Sequence, residues 1–269
     1  MLTQPAVPEA APACPDHAGE PSTGTCERCG RFLCAQCTQP VANVCVPCNA
    51  RQVLAMPATR GLAQWARGIF YLGAALSGVA ALLNLFLFAS LNEDGQLDNG
   101  TATFFGLVTR VVAGPQLLFT LTAIALYLGW LHRSLKTAIA MGLSKESTAW
   151  AMFCWFIPLA NLFVPLEVVR GLWRAVGGQP RHASRLTAWW ATWLMSIVIT
   201  NVISVALSGG SPTPTMLSVT ALGRFVAEGL MAVAAFLCAR VIWDIESMLS
   251  ARRAQSAESL RPDRADSTT

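Results

Sequence analysis

Seven of the nine cysteines and one of the three histidines lie among the first 50 residues, in four pairs. In each pair the two residues are separated by two others, a spacing that lets both side chains reach one ion across a tight turn. Four pairs supply eight ligands, which is enough for two closed tetrahedral zinc sites. The pattern therefore predicts two zinc ions rather than disulfides, in a reducing compartment. The ligands are Cys14, His17, Cys26, Cys29, Cys34, Cys37, Cys45 and Cys48.

The predicted zinc ions have a structural role. A site closed by four protein ligands leaves no open position for water or substrate. A segment of about 35 residues also buries too little apolar surface to fold without such a staple. We therefore expect a small folded module that presents a surface to a cytoplasmic protein partner.

The order of the pairs resembles the B-box group of interleaved zinc modules over about residues 14–48. The first three pairs match the opening Cys-x2-His, Cys-x2-Cys and Cys-x2-Cys pairs of a B-box. The last pair departs from it, because a B-box usually has histidines there. The resemblance implies one ion on the first and third pairs and another on the second and fourth. Spacing alone also allows a sequential pairing.

The remainder of the chain has the composition of an integral membrane protein. Of the 269 residues, 54% are hydrophobic and only 13% are charged, against about 25% charged in soluble domains, and the mean hydropathy is +0.47. Apolar runs predict four transmembrane helices in a mostly α-helical protein, at about 69–91, 103–131, 188–207 and 217–243. We expect disorder over 1–13, a linker over 49–68 and a cytoplasmic tail over 244–269, disordered at its end.

A further apolar segment, 150–173, is about as long as a span but contains Pro158, Asn161 and Pro165. If it crossed the membrane with a cytoplasmic N-terminus, nine arginines that follow it would lie outside. If it returned to the same side, both basic loops and both termini would be cytoplasmic, and the two outer loops would contain no Lys or Arg. The positive-inside rule favours the second arrangement.

We therefore predict a re-entrant or interfacial element at about 150–176 that turns at 158–161. Proline removes a backbone donor, and an asparagine side chain can satisfy backbone groups that a turn leaves free. The return limb has an apolar face and a polar face with Glu167 and Arg170, as an amphipathic helix at the membrane surface would have.

The same segment resembles the bacterial membrane domain known as domain of unknown function 4328. The resemblance is a Trp-Phe-Ile-Pro-x-x-Asn-Leu-x-x-Pro core followed by Val-Val-Arg-x-Leu-Trp, and we take it to cover about residues 60–250. It implies a multi-span membrane domain and carries no activity. The matching residues are Trp155, Phe156, Ile157, Pro158, Asn161, Leu162, Pro165, Val168, Val169, Arg170, Leu172 and Trp173.

Three ionisable residues, Arg110, Arg224 and Glu228, lie in or beside apolar segments, where charge is costly and usually paired. Arg224 and Glu228 are four residues apart and can pair on one helix face. Arg110 is predicted at a similar depth, and our hypothesis is an interhelical contact between Arg110 and Glu228. The alternative is that all three are anchors that reach the outer interface.

The sequence contains no Gly-rich nucleotide loop, no catalytic serine context and no HExxH motif, so we assign no enzymatic activity. We expect a multi-pass protein of the bacterial inner membrane with cytoplasmic termini, since no signal peptide precedes the module. It would act as an anchor, scaffold or regulator in the lipid bilayer, without binding nucleic acid, and could form a homo-oligomer. The alternative function is a small transporter or channel that uses the broken element at 158–161.

Overall fold

The computed structural model describes residues 12–17, 19–38, 43–91, 97–208 and 213–260, without the side chains of 109–115. Within these ranges the chain is mostly helical. The helices are α1 (Val46–Ala55), α2 (Arg60–Ser90), α3 (Asn99–Ala140), α4 (Thr148–Phe153), α5 (Val164–Ala175), α6 (Ala183–Leu207) and α7 (Pro214–Glu258). The disorder predicted for the two ends of the chain falls mainly on residues 1–11 and 261–269, outside the described residues.

The N-terminal module contains a two-stranded antiparallel ribbon. Strand β1 (Gly24–Thr25) pairs with β2 (Phe32–Leu33), with Gly24 opposite Leu33 and Thr25 opposite Phe32. Because side chains alternate along a strand, Leu33 is buried among the cysteines while Phe32 faces outward and is 40% exposed. The module continues directly into α1.

Short polar side chains begin three of the helices. Asp98 accepts hydrogen bonds from the backbone N–H groups of Gly100 and Thr101 at the start of α3. Ser147 and Thr213 accept from the third residue beyond them, at the starts of α4 and α7. Each bond satisfies a donor that the first turn of a helix leaves free, and the hydrogen bonds from Thr101 and Gly100 lower the pKa of Asp98.

Helix α7 is central to the membrane domain. It packs most extensively along α2, and α6 packs along its other side. Helix α3 packs mainly against α2 and has a smaller contact with α7. With 45 residues, α7 is about 67 Å long, which is more than twice the hydrocarbon thickness of about 30 Å. A single crossing of a membrane would therefore use less than half of the length of α7.

Three helical segments are long and apolar enough to cross a membrane, namely Arg60–Ser90, Pro180–Leu207 and Pro214–Glu258. They contain three of the four predicted spans, so the structure is that of a membrane protein. The remaining predicted span, 103–131, lies within the continuous helix α3. Since α3 includes side chains outside the described set, the number of four spans stays a prediction.

The segment 150–173 is not one straight helix. Helix α4 passes into a 3₁₀ turn at Cys154–Phe156, a second 3₁₀ turn follows at Ala160–Leu162, and α5 begins at Val164. Pro158 lies in the bend between the two turns, and Pro165 is in the first turn of α5, where its missing N–H costs no hydrogen bond.

The apolar face of α5 packs inside the protein. Val169, Leu172 and Trp173 are buried in a core shared with Trp130 and Leu135 of α3. The sequence predicted that this face would lie in the membrane interface. It packs on other helices instead, which gives α5 tertiary contacts that its amphipathic pattern alone does not specify.

Two segments outside the predicted spans, the linker and the first part of the tail, are helical. The predicted linker, 49–68, contains most of α1 and the first turns of α2, separated at Pro57. The tail after Asp244 continues α7 to Glu258. In both cases buried side chains, such as Val53 in α1 and Leu249 in α7, stabilise the helix by packing rather than by propensity.

A buried carboxylate joins three of the helices. Glu246 of α7 is only 7% exposed. It accepts hydrogen bonds from the Thr59 hydroxyl beside α2 (2.8 Å), the Trp130 indole N–H of α3 (3.4 Å) and the Ser250 hydroxyl (3.3 Å). A buried acid is costly unless its oxygens are satisfied, so this network fixes the position of α7 relative to α2 and α3.

Replacing Glu246 by alanine should destabilise the protein by about 2 kcal/mol, because two buried donors lose their acceptor. The expected fall in melting temperature, measured on purified protein in detergent, is about 6 °C. Glu246→Gln should lower the melting temperature less, because its amide oxygen can still accept a hydrogen bond. The control is Glu146→Ala, at an exposed loop position. Equal melting temperatures for Glu246→Ala and the control would contradict the role of the network.

Candidate metal centres

Three of the four cysteine and histidine pairs lie in tight turns, and the fourth, Cys45 and Cys48, lies at the start of α1. The carbonyl of Cys14 accepts from the N–H of His17, that of Cys34 from Cys37, and that of Cys26 from Gly30. Gly30 has a φ of +72°, a left-handed conformation that glycine adopts without strain. These turns direct both side chains of a pair to the same side.

The turns combine into two groups of four ligand atoms, in the interleaved order. Cys14, His17, Cys34 and Cys37 form one group, which we name site 1, and Cys26, Cys29, Cys45 and Cys48 form the other, which we name site 2. Within each group the ligand atoms all lie within 4.8 Å of one another. A sequential pairing is not the arrangement that the structure has.

The distances in site 1 fit a tetrahedral metal. Zinc–sulfur bonds of about 2.3 Å place two sulfurs of a tetrahedron about 3.8 Å apart. Cys14 Sγ and Cys37 Sγ are separated by 3.7 Å. His17 Nδ1 lies 3.2, 3.5 and 3.9 Å from the sulfurs of Cys37, Cys34 and Cys14, so Nδ1 is the nitrogen directed at the centre of the group.

Site 2 has four sulfurs and the same spacing, with 3.7 Å between Cys29 Sγ and Cys45 Sγ. The backbone N–H of Cys45 donates to Cys26 Sγ over 3.3 Å, and hydrogen bonds of this kind orient the thiolates that bind a metal ion. Seven thiols and one imidazole, with no carboxylate in either group, form a donor set that suits zinc.

Crowding of the sulfurs separates their pKa values. Burial raises the pKa of Cys14, but hydrogen bonds from Cys34 and His17 outweigh burial and lower it to about 6. Burial, together with hydrogen bonds and charge from Cys14 and Cys34, raises the pKa of Cys37 to about 12. Site 2 shows the same division, with Cys26 at a pKa of about 6 and Cys45 at about 12. A divalent cation would remove the repulsion that keeps the second thiol protonated.

Site 2 is connected to the membrane domain through one helix. Cys45 is the N-cap residue of α1, and Cys48 lies in its first turn. Further along α1, Ala50 and Val53 are 4% and 0% exposed, and α1 packs on α7 and α3. Arg253 of α7 donates to the carbonyls of Met56 and Pro57 over 2.8 and 3.2 Å, which holds the end of the module.

The membrane-domain candidates are distributed differently. Glu167 and Arg170 form an ion pair, and Arg170 also donates to the Thr187 hydroxyl over 3.2 Å. Asn161 follows the bend at Pro158, and its side-chain oxygen is buried without a hydrogen-bond partner among the described residues. Arg170 therefore joins α5 to α6, whereas the Asn161 oxygen does not accept from a backbone group of the turn in the described part of the chain, contrary to our prediction.

The predicted outer charge cluster is not assembled among the described side chains. Arg224 is exposed and Glu228 is partly exposed, and the three ion pairs found among the described residues do not include either of them. The side chain of Arg110 lies outside the described set, so its contact with Glu228 stays a prediction.

Sequence reasoning missed the polar contacts at the other end of the bundle. Arg185 of α6 forms an ion pair with Asp244 of α7. The Arg67 guanidinium of α2 lies over Trp243, with 4.1 Å to the ring centroid. The sequence does contain an indication that Glu246 is buried, because this residue lies between Ile245 and Leu249 on a helix face that is otherwise apolar.

Comparison with known proteins identifies one family. The family described as "Domain of unknown function (DUF4328)" matches residues 93–247, which is more than half of the chain. The match includes the broken segment but begins after α2, so it is shorter than the range 60–250. It also excludes the zinc-ligand residues, so the B-box resemblance stays a prediction. No curated protein and no solved structure matches the chain. By this match, the chain belongs to the family of the domain of unknown function DUF4328.

Proposed function

We propose that this protein is a non-enzymatic membrane anchor or scaffold whose N-terminal module binds two zinc ions and then a cytoplasmic protein partner. The supporting observation is α1, which supplies Cys48 to site 2, packs on α7 and α3, and has Val53 fully buried. A module fixed in this way has a defined orientation relative to the bilayer. It therefore presents one face to partners at the membrane surface.

Zinc is the ion that the ligand groups favour. The sulfur–sulfur edges match a tetrahedron, and all four positions of each site are taken by protein atoms, as in structural zinc sites. With the sites closed, the metal supplies folding free energy rather than catalysis. The fold supported by the ions includes β1, β2 and the start of α1.

The membrane arrangement that we propose has four spans, with the broken segment and both termini on the cytoplasmic side of a bacterial inner membrane. The three long apolar helices and the continuous helix α3 support it. The exposed basic residues Arg133, Lys136 and Arg181 then lie on one side, as the positive-inside rule requires. The zinc module lies on the same side, because α1 packs on the ends of α3 and α7.

The partner surface that we propose centres on Phe32. This side chain is 40% exposed on β2, beside the exposed ion pair between Arg31 and Asp16. An exposed aromatic residue with flanking charges is the usual composition of an interface hot spot.

Purified protein should contain two zinc ions per chain by elemental analysis. The double variant Cys26→Ser/Cys29→Ser should contain one, because site 2 loses half of its ligands. The matched control is Cys238→Ser, which alters a buried cysteine of α7 outside both sites, and it should keep two. Two ions in the double variant would show that site 2 does not hold zinc.

Partner recognition can be separated from folding with Phe32→Ser. In-cell cross-linking with mass spectrometry should show proteins that bind the wild-type module and bind the variant at least about thirtyfold less, the expected loss for an aromatic hot spot. Leu54→Ser, at a 39% exposed position of α1, is the control. Unchanged cross-linking of Phe32→Ser, with zinc content intact, would exclude Phe32 as the anchor.

The membrane arrangement predicts opposite labelling at the two ends of α6. With a membrane-impermeant maleimide, Ser208→Cys should react in intact cells, whereas Arg181→Cys should react only after the membrane is opened. Both positions are exposed, so accessibility differs only through the bilayer. Labelling of Arg181→Cys in intact cells would mean that the segment 150–173 crosses the membrane.

A further inference from the structure

Arg67 of α2 has an unusual environment for a charged side chain. Its guanidinium carbon lies 4.1 Å from the ring centroid of Trp243 and 5.9 Å from that of Tyr71. Its Nε is buried without a hydrogen-bond partner, and the ion pairs found among the described residues do not include Arg67. Stacking on aromatic faces orients a guanidinium but leaves its N–H edge free.

A second arginine lies on the same seam between α2 and α7. Three exposed residues share one face of α7, because they are spaced i, i+4 and i+7. They are Phe236, Arg240 and Trp243. Phe236 contacts Tyr71, with 5.9 Å between ring centroids, while Trp243 contacts Arg67. Since the helices are antiparallel, Arg240 lies at the level between these two contacts.

The acids near this seam are engaged elsewhere. Asp244 is paired with Arg185 of α6. Glu246 faces the interior, where it accepts from Thr59 and Trp130. On α2, Arg60 lies two helical turns before Arg67 and is exposed. It is a further cation on the same face of the helix. The seam is therefore a cationic surface with no carboxylate of its own among the described residues.

The seam lies where the apolar parts of two spans end. The apolar run of α2 begins at Ile69, two residues after Arg67, and that of α7 ends at Trp243. Tryptophan at this level is typical of the membrane–water interface. For the choice of leaflet, this inference rests on the membrane arrangement proposed above. In that arrangement the seam lies at the level of the phosphates of the inner leaflet.

We propose that the seam formed by Arg67, Arg240, Trp243 and Tyr71 binds the phosphate of an anionic phospholipid. The Arg67 fork, held by Trp243, presents two parallel N–H groups to phosphate oxygens, and Arg240 supplies the second cation. Tyr71 and Phe236, deeper in the seam, contact the glycerol and the start of the acyl chains. Basic sites between spans on the cytoplasmic side bind acidic headgroups in this manner.

The test uses the purified full chain in neutral detergent with added phosphatidylglycerol or phosphatidylcholine, measured by native mass spectrometry. The wild-type protein should bind phosphatidylglycerol more tightly than phosphatidylcholine. Each of Arg67→Gln and Arg240→Gln should weaken that binding about fivefold, the effect of one basic residue at an anionic membrane surface. Arg133→Gln removes an exposed cation at the corresponding end of α3 and should leave binding unchanged.

Equal binding of the two lipids by wild type would overturn the proposal, since the seam would then not select an acidic headgroup. The same loss with Arg133→Gln would also overturn it, since the preference would then be general charge attraction. Inorganic phosphate at the same concentration should not compete, and competition would indicate a free-anion site instead. If Arg67→Gln does not fold, the exposed position Arg240 and the variant Trp243→Leu decide the question. The lipid assay depends neither on zinc nor on which side of the membrane the seam faces. Absence of zinc from the purified protein, or labelling of Arg181→Cys in intact cells, would therefore contradict the proposed function without deciding whether the seam binds lipid.

Discussion

The antiparallel packing of α2 along α7 is the interaction on which the other parts of the molecule depend. It is the most extensive helix contact, and at one end it includes a carboxylate that must be satisfied. Glu246 obtains its hydrogen bonds from Thr59 and Trp130, residues on two other elements. A carboxylate in low dielectric tolerates little displacement of its donors, so the two helices are held in one register. Helix α3 then packs mainly on α2, and helix α6 packs on α7.

The same register positions the zinc module. Thr59 lies two residues after Pro57, and the carbonyl of Pro57 accepts from Arg253 two turns beyond Glu246 on α7. The chain between α1 and α2 is therefore held by polar contacts on both sides. Because α1 also contains Cys48, the geometry of site 2 and the packing of the membrane domain share one rigid helix. In the proposed function, metal binding and docking of the module would stabilise each other through this helix.

Features that depend on local chemistry could be predicted from the sequence, and those that depend on tertiary contacts could not. The spacing of the cysteines and the histidine specifies ligand pairs by itself, so the eight ligands could be named in advance. Their division into two interleaved groups is only an implication of the B-box resemblance, because spacing alone also allows a sequential pairing. Apolar runs likewise identify the long helices. By contrast, the helical state of residues 50–55 depends on the packing of α1 on α3 and α7, in which Val53 is fully buried. The interhelical partners of Arg67 and Glu246 lie more than 100 residues away along the chain, and no periodicity encodes them.

The broken segment shows how backbone without regular helix is accommodated at this depth. Polar backbone groups must be satisfied within the protein where water is scarce. The Asn161 N–H donates to the Ile157 carbonyl over 2.7 Å, and the indole N–H of Trp190 donates to the Leu162 carbonyl over 2.9 Å. Tryptophan suits this task, because its ring covers apolar surface while its one donor reaches a free carbonyl. Trp155, Trp189, Trp190 and Trp193 form a continuous series of ring contacts around the bend. Trp190 therefore has two roles at the bend, because its ring extends this series of contacts while its indole N–H satisfies a backbone carbonyl beside the interruption of the helix.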